Sequence, residues 1–149
     1  MTFIPIILSF ILTGCSSLTL KPGDFAWPIE SVLSIDDQGN VQTRLYSFSF
    51  NVIELLFAET QDSVHVSKVS LRMIRDVKGF YFITASKFKN VYVFEQTEGG
   101  LKLNNKILVA PDGLNEPFFN QQVPFIQLVN GQNQSLLLTK DGVFEGEKK

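Results

Sequence analysis

The stretch 78–103, KGFYFITASKFKNVYVFEQTEGGLKL, decides the fold class. Phe80-Tyr81-Phe82-Ile83-Thr84-Ala85 and Asn90-Val91-Tyr92-Val93-Phe94 are apolar at both parities. They are too short, and too rich in β-branched and aromatic side chains, to be helices. Runs of this kind predict central strands covered on both faces. Asp76-Val77-Lys78-Gly79 before them and Glu98-Gly99-Gly100 after them carry turn chemistry, so the stretch is a succession of antiparallel strands.

Toward the N-terminus, residues 32–36 lead into the turn Asp36-Asp37-Gln38-Gly39-Asn40. Residues 41–52 then alternate, with Tyr46, Phe48, Phe50 and Val52 against Ser47, Ser49 and Asn51. The pair predicts a hairpin whose second strand has one buried and one wet face. In residues 51–60, Asn51 and Glu54 imitate a capping box ahead of Leu55, Leu56 and Phe57. The β-branched and aromatic neighbours favour strand or loop there instead. Residues 64–74 change face near Ser67-Lys68, as a β-bulge would make them.

Toward the C-terminus, residues 106–110 predict a strand and residues 111–124, with Pro111, Gly113, Pro117 and Pro124, a loop. Residues 125–129 and 136–139 form a hairpin, and Asp141-Gly142 turns into Val143-Phe144. These short strands, with Gly and Asp/Asn turns between them, predict an all-β fold: an antiparallel β-sandwich or small barrel. Residues 79–109 have the look of one propeller blade. Four blades of about 40 residues would need more chain than follows the leader, and no second copy is present.

The chain has 149 residues, 44% hydrophobic and 19% charged, enough for one domain with a core and too apolar for disorder. Its net charge of -2 provides no basic excess to hold phosphate backbones, which argues against nucleic acid as a partner. One Cys and one His exclude disulfide frameworks and zinc sites of the Cys/His type.

The first fourteen residues, MTFIPIILSFILTG, carry no charge, and the apolar run from Phe3 to Leu12 is too short to span a bilayer. It has the length of a signal-peptide h-region. Leu12-Thr13-Gly14-Cys15 follows, and with it the segment resembles the lipobox of bacterial lipoproteins. The likeness covers the processing segment alone. It departs from the family in lacking Lys or Arg before the apolar run and in having Pro5 within it. The resemblance implies that Leu12, Thr13 and Gly14 are read by the signal peptidase. It implies that Cys15 becomes the diacylglyceryl-modified first residue of the mature protein, with its new α-amino group acylated as well. Ser16 after the Cys fits sorting to the outer membrane in a host with two membranes.

Physical chemistry agrees with that assignment. A single unpaired Cys in an exported chain needs an explanation. Two or three acyl chains, at about 0.8 kcal/mol per buried CH₂, hold a protein on a bilayer durably where one does not. The expected organisation is therefore 1–14 signal peptide, 15–24 lipidated tether and 25–149 a single β-rich domain. The ten tether residues reach about 33 Å at most, which keeps the domain near the headgroups.

Candidates for chemistry are sparse. Gly-x-Ser-x-Gly, a phosphate-binding Gly loop, Cys-x-x-Cys and His-Glu-x-x-His do not occur, and no catalytic residue, metal ligand or cofactor is nominated. His65 has no nucleophile identifiable beside it. Asp36, Asp37 and Asn40 suit a hairpin turn better than a calcium loop. Asn133-Gln134-Ser135 matches a glycosylation sequon too short to be informative. Phe118-Phe119, between Pro117 and Pro124, and Trp27 are the candidate contacts to a partner or to lipid, although Trp27, just before a strand-like segment, suits core packing better. The competing reading of Phe118-Phe119 is a loop folded back over one open end of the sandwich.

The sequence thus predicts a lipid-anchored cell-envelope protein whose β domain binds an envelope protein or polymer through a sheet edge or the 111–124 segment. The alternatives are a carboxylate-dependent hydrolase of envelope or surface polymers, and a carrier of small apolar ligands.

Overall fold

The structure, a computed structural model, describes residues 29–61, 68–132 and 134–146. Residues 1–28, with the expected leader, the expected lipobox ending at Cys15 and Trp27, together with His65 and Asn133, lie outside the described residues. Among the described residues, eleven strands and one helix follow in order: β1 (Ser31–Ser34), β2 (Asn40–Thr43), β3 (Phe48–Asn51), α1 (Ile53–Thr60), β4 (Ser70–Arg75), β5 (Tyr81–Ala85), β6 (Asn90–Thr97), β7 (Gly100–Leu108), β8 (Pro117–Gln122), β9 (Phe125–Asn130), β10 (Gln134–Thr139) and β11 (Gly142–Val143). A five-stranded antiparallel sheet runs β1-β4-β5-β6-β7, a four-stranded one β11-β10-β9-β8, and β2-β3 pair separately. The sheets stack as a sandwich and do not close, which removes the barrel alternative.

The five-stranded sheet is central because β5 and the first half of β6 are apolar at both parities. On one face, Ile74, Phe82, Val91, Val93 and Ile107 meet Phe119, Ile126, Leu128 and Leu138 of the four-stranded sheet. On the other, Leu71, Met73, Tyr81, Ile83 and Tyr92 meet Val41 of the β2-β3 hairpin and Leu56 of α1. All five residues of β5 are buried, as strands between two layers must be. Tyr81 fastens the hairpin by edge contacts with Tyr46 at 5.1 Å and Phe48 at 5.4 Å.

Four sequence expectations are corrected. The 41–52 run is two strands rather than one, because the chain reverses between Thr43 and Phe48, with Ser47 in the left-handed region at φ 56°. Residues 51–60 hold a helix, not a strand or loop. Leu56 fits a pocket over the central sheet, and that burial outweighs local β propensity. The capping box does not form as drawn: Asn51 accepts from the Ile53 N–H at 3.1 Å, and Val52 takes the cap position. The 106–110 strand is the end of a nine-residue β7, which closes a long hairpin with β6 and ends at Leu108.

The fourth correction concerns 111–124, which is only partly loop. Residues 117–122 pair with β9 as a strand, so Phe118 and Phe119 point to opposite faces. Phe119 is buried in the inter-sheet core, and Phe118 is 37% exposed. The bulge expected near Ser67-Lys68 falls mainly on residues 62–67, outside the described residues. Within the described part of the central sheet, β6 and β7 shift register at Val93/Phe94. The turns at Asp76–Gly79 and 98–100 and the β9-β10 hairpin form as the sequence predicts.

Candidate partner-binding groove

Where the two main sheets overlap incompletely, they leave a step. Alternation places Ser70, Arg72 and Ile74 on the face of β4 that looks toward the four-stranded sheet. The register Val32↔Arg72 puts Val32, and with it Glu30, on that same face. The overlying sheet covers Ile74 completely. Beyond it the cover stops, and Val32 is 56% exposed. The uncovered margin of β1 and β4 forms a shelf, and β8 is the rim above it.

The backbone of β8 explains what that rim presents. Gly131 N–H donates to the Glu116 carbonyl at 3.2 Å. Stepping along the antiparallel register from this pair, Phe118, Asn120 and Gln122 direct their backbone groups to β9. Pro117, Phe119 and Gln121 therefore direct theirs outward. Pro117 has no N–H to leave unpaired there, which is where an edge strand tolerates proline. Among the described residues no strand pairs with this side of β8.

A groove of about 1020 Å³ opens along the step, lined by Glu30, Lys68, Arg72, Lys87, Glu116 and Phe118, among others. Glu30 crosses its floor. Its carboxylate accepts from the Arg72 guanidinium at 3.3 Å, and its side chain is 14% exposed against 35% for Arg72. Burial pushes the Glu30 carboxyl up from its ordinary value, while the Arg72 charge and the Phe119 backbone N–H pull the other way. The groove holds three cations against two carboxylates, the opposite sign to the chain as a whole. A second groove of about 890 Å³ runs beside β1 and β2, with Arg44 and Leu45 on its wall.

The other concentration of polar groups is internal. Glu59, in the last turn of α1, accepts from the Lys89 N–H at 2.8 Å, Asn90 Nδ2 at 2.6 Å and the Tyr92 hydroxyl at 2.7 Å. Desolvation, then the hydrogen bond and charge of Glu59, hold the Tyr92 phenol far above its ordinary value. With its carboxylate committed to three donors, Glu59 latches the helix to the sheet.

Of the residues singled out in the sequence, Phe118 lines the groove and Phe119 supports its rim from the core. Asp36 spends its carboxylate on the turn: Oδ1 accepts from the Gln38 and Asn40 N–H groups at 2.9 and 2.8 Å, and Oδ2 from Asn40 Nδ2 at 3.1 Å. Among the described residues no group of three or more metal-binding side chains gathers. Glu30, Lys68, Arg72, Lys87 and Glu116 were not legible in advance, because strand register and loop packing bring them together from four separated parts of the chain. Among the described residues no helix is long and apolar enough to cross a membrane. Comparison with protein-family models, curated proteins and solved structures finds no match.

Proposed function

We propose that this chain is a lipid-anchored cell-envelope protein that holds another envelope component, protein or polymer, in the groove between the β1-β4 shelf and β8. The observation that carries the reading is the position of Glu30 in the groove wall, one residue into the described domain. Cys15, with the lipobox Leu12-Thr13-Gly14 before it, stands fifteen positions earlier in the chain. That length reaches roughly 50 Å at full extension, so an acylated Cys15 keeps the groove close to the headgroups. Confinement of this kind raises the effective concentration of any partner held at the same surface. Localisation follows from the anchor: the cell envelope, and the outer membrane in a host with two membranes. No cofactor is required for such a role.

Affinity capture from gently solubilised envelopes tests it. The native chain retains its partner and carries the mass of an acylated Cys15. Cys15→Ala loses membrane attachment, and Phe118→Asp keeps the anchor but loses the partner. An unmodified thiol on an uncleaved leader sinks the anchoring. Capture unchanged by Phe118→Asp and by Lys87→Glu removes the groove.

One observation favours the hydrolase as second reading: Glu30 and Glu116 line one groove, with burial pushing Glu30 upward as a general acid requires. The Arg72 partner works against it by stabilising the ionised form. Turnover of an envelope polymer that disappears in Glu30→Gln would reverse the order of the two readings.

A further inference from the structure

The groove's rim has a more specific use. Edge strands offer backbone donors and acceptors to an added strand, and proteins guard them with charges, bulges or cover. At β8 the edge is unpaired. The Phe119 and Gln121 N–H groups and the outward carbonyls of Pro117, Phe119 and Gln121 have no strand partner among the described residues. Beside this row lie Ser70 and Arg72 in the same groove, which can receive every second side chain of an incoming strand. Lys68 and Lys87, both exposed, stand at the groove wall, and its carboxylates do not outnumber its cations.

We infer that the β8 edge takes up an extended, acidic segment of a protein partner by strand addition, its acidic side chains meeting Lys68 and Lys87. The inference rests on the proposed reading of the groove and narrows its occupant to a polypeptide. Backbone pairing with Phe119 and Gln121 supplies affinity, and the lysines select for charge. In this arrangement a carbonyl of the added strand accepts from the Phe119 N–H, while Glu30 keeps its ion pair with Arg72.

The probe is a capped peptide of roughly seven residues alternating valine and glutamate, a typical strand length, titrated onto the full chain in detergent. Amide exchange is read by mass spectrometry. Controls are the valine-lysine peptide and a valine-glutamate peptide N-methylated at alternate amides. The expected result is new protection over residues 117–122. Affinity falls about tenfold for the N-methylated peptide, which cannot complete the ladder. It falls about fivefold for the double variant Lys68→Glu, Lys87→Glu, and further for the lysine peptide.

Protection at β1, β7 or β11 instead, indifference to N-methylation, or no binding at millimolar peptide overturns the proposal. So does protection of 117–122 without peptide in a chain that sediments as a dimer, since a second copy would then fill the edge. Anchoring is read from the mass of the Cys15 peptide, and partner capture from envelopes, so either can stand when this titration fails.

Discussion

The Tyr92 hydroxyl on β6 donates to the Glu59 carboxylate at the end of α1 across 2.7 Å, joining this helix to the central sheet. The phenol is bound in its protonated form, and its folded value lies above the ordinary 10.0. A raised folded value makes this contribution complete below the ordinary value, and it is lost as pH rises through the folded one. Urea unfolding should show stability falling as pH rises above about 10, and Tyr92→Phe should flatten that fall. At neutral pH, Tyr92→Phe should cost about 1–2 kcal/mol, and Glu59→Ala should cost more because three donors lose one acceptor. An unchanged alkaline slope in Tyr92→Phe would remove this account.

Phe118 and Phe119 are chain neighbours with opposite environments. Phe119→Ala should cost about 3–5 kcal/mol, since it opens a cavity between the sheets. Phe118→Ala should stay within about 1 kcal/mol in the same urea titration. Comparable losses would return both residues to a folded-back loop.

Gly39 sits at φ +82°, and a Cβ there would collide with the Ile53 side chain. Gly39→Ala should therefore destabilise by more than about 1 kcal/mol through strain and overlap together. In the double variant Gly39→Ala, Ile53→Ala, the overlap is relieved and the strain remains. Its loss should fall short of the sum of the single losses, a coupling that a double-mutant cycle measures directly.

Glu30 and Arg72 supply a prediction on the acid side. Arg72→Ala leaves the Glu30 carboxylate with less compensation for its burial and should cost about 1–2 kcal/mol at pH 7. Burial already raises the folded value of Glu30, and the substitution removes a group that opposes the rise. A raised carboxyl contributes most below its ordinary value of 4.5 and loses that contribution as pH climbs through the folded value. The Arg72→Ala deficit should therefore shrink between about pH 7 and pH 4.5. A deficit that grows on acidification would contradict the assignment.

Legibility differed along the chain for identifiable reasons. β5, β6, β9 and β10 could be read because their burial is written in the local alternation, or its absence, and their turns carry Gly, Asn or Asp. Residues 51–60 were misread because the burial of Leu56 and the hydrogen bonds of Glu59 secure that helix against a sheet built mostly from later residues. β8 was misread because two prolines bracket it, and only β9 shows that the first occupies an outward, unpaired position. Of the groove, Phe118 was nominated from its neighbourhood. Glu30 and Arg72 were not, since each is an ordinary charged residue until strand register makes them adjacent.

The sequence alone determined the all-β class, the central place of residues 80–94 and the likeness of its first fifteen residues to a lipoprotein signal, because each is encoded in contiguous residues. The tertiary structure decided which strand became an edge, where the upper sheet stops short of the lower, and which charges face one another across that step. Those outcomes depend on contacts between segments far apart in the chain, whose free energy no local pattern records.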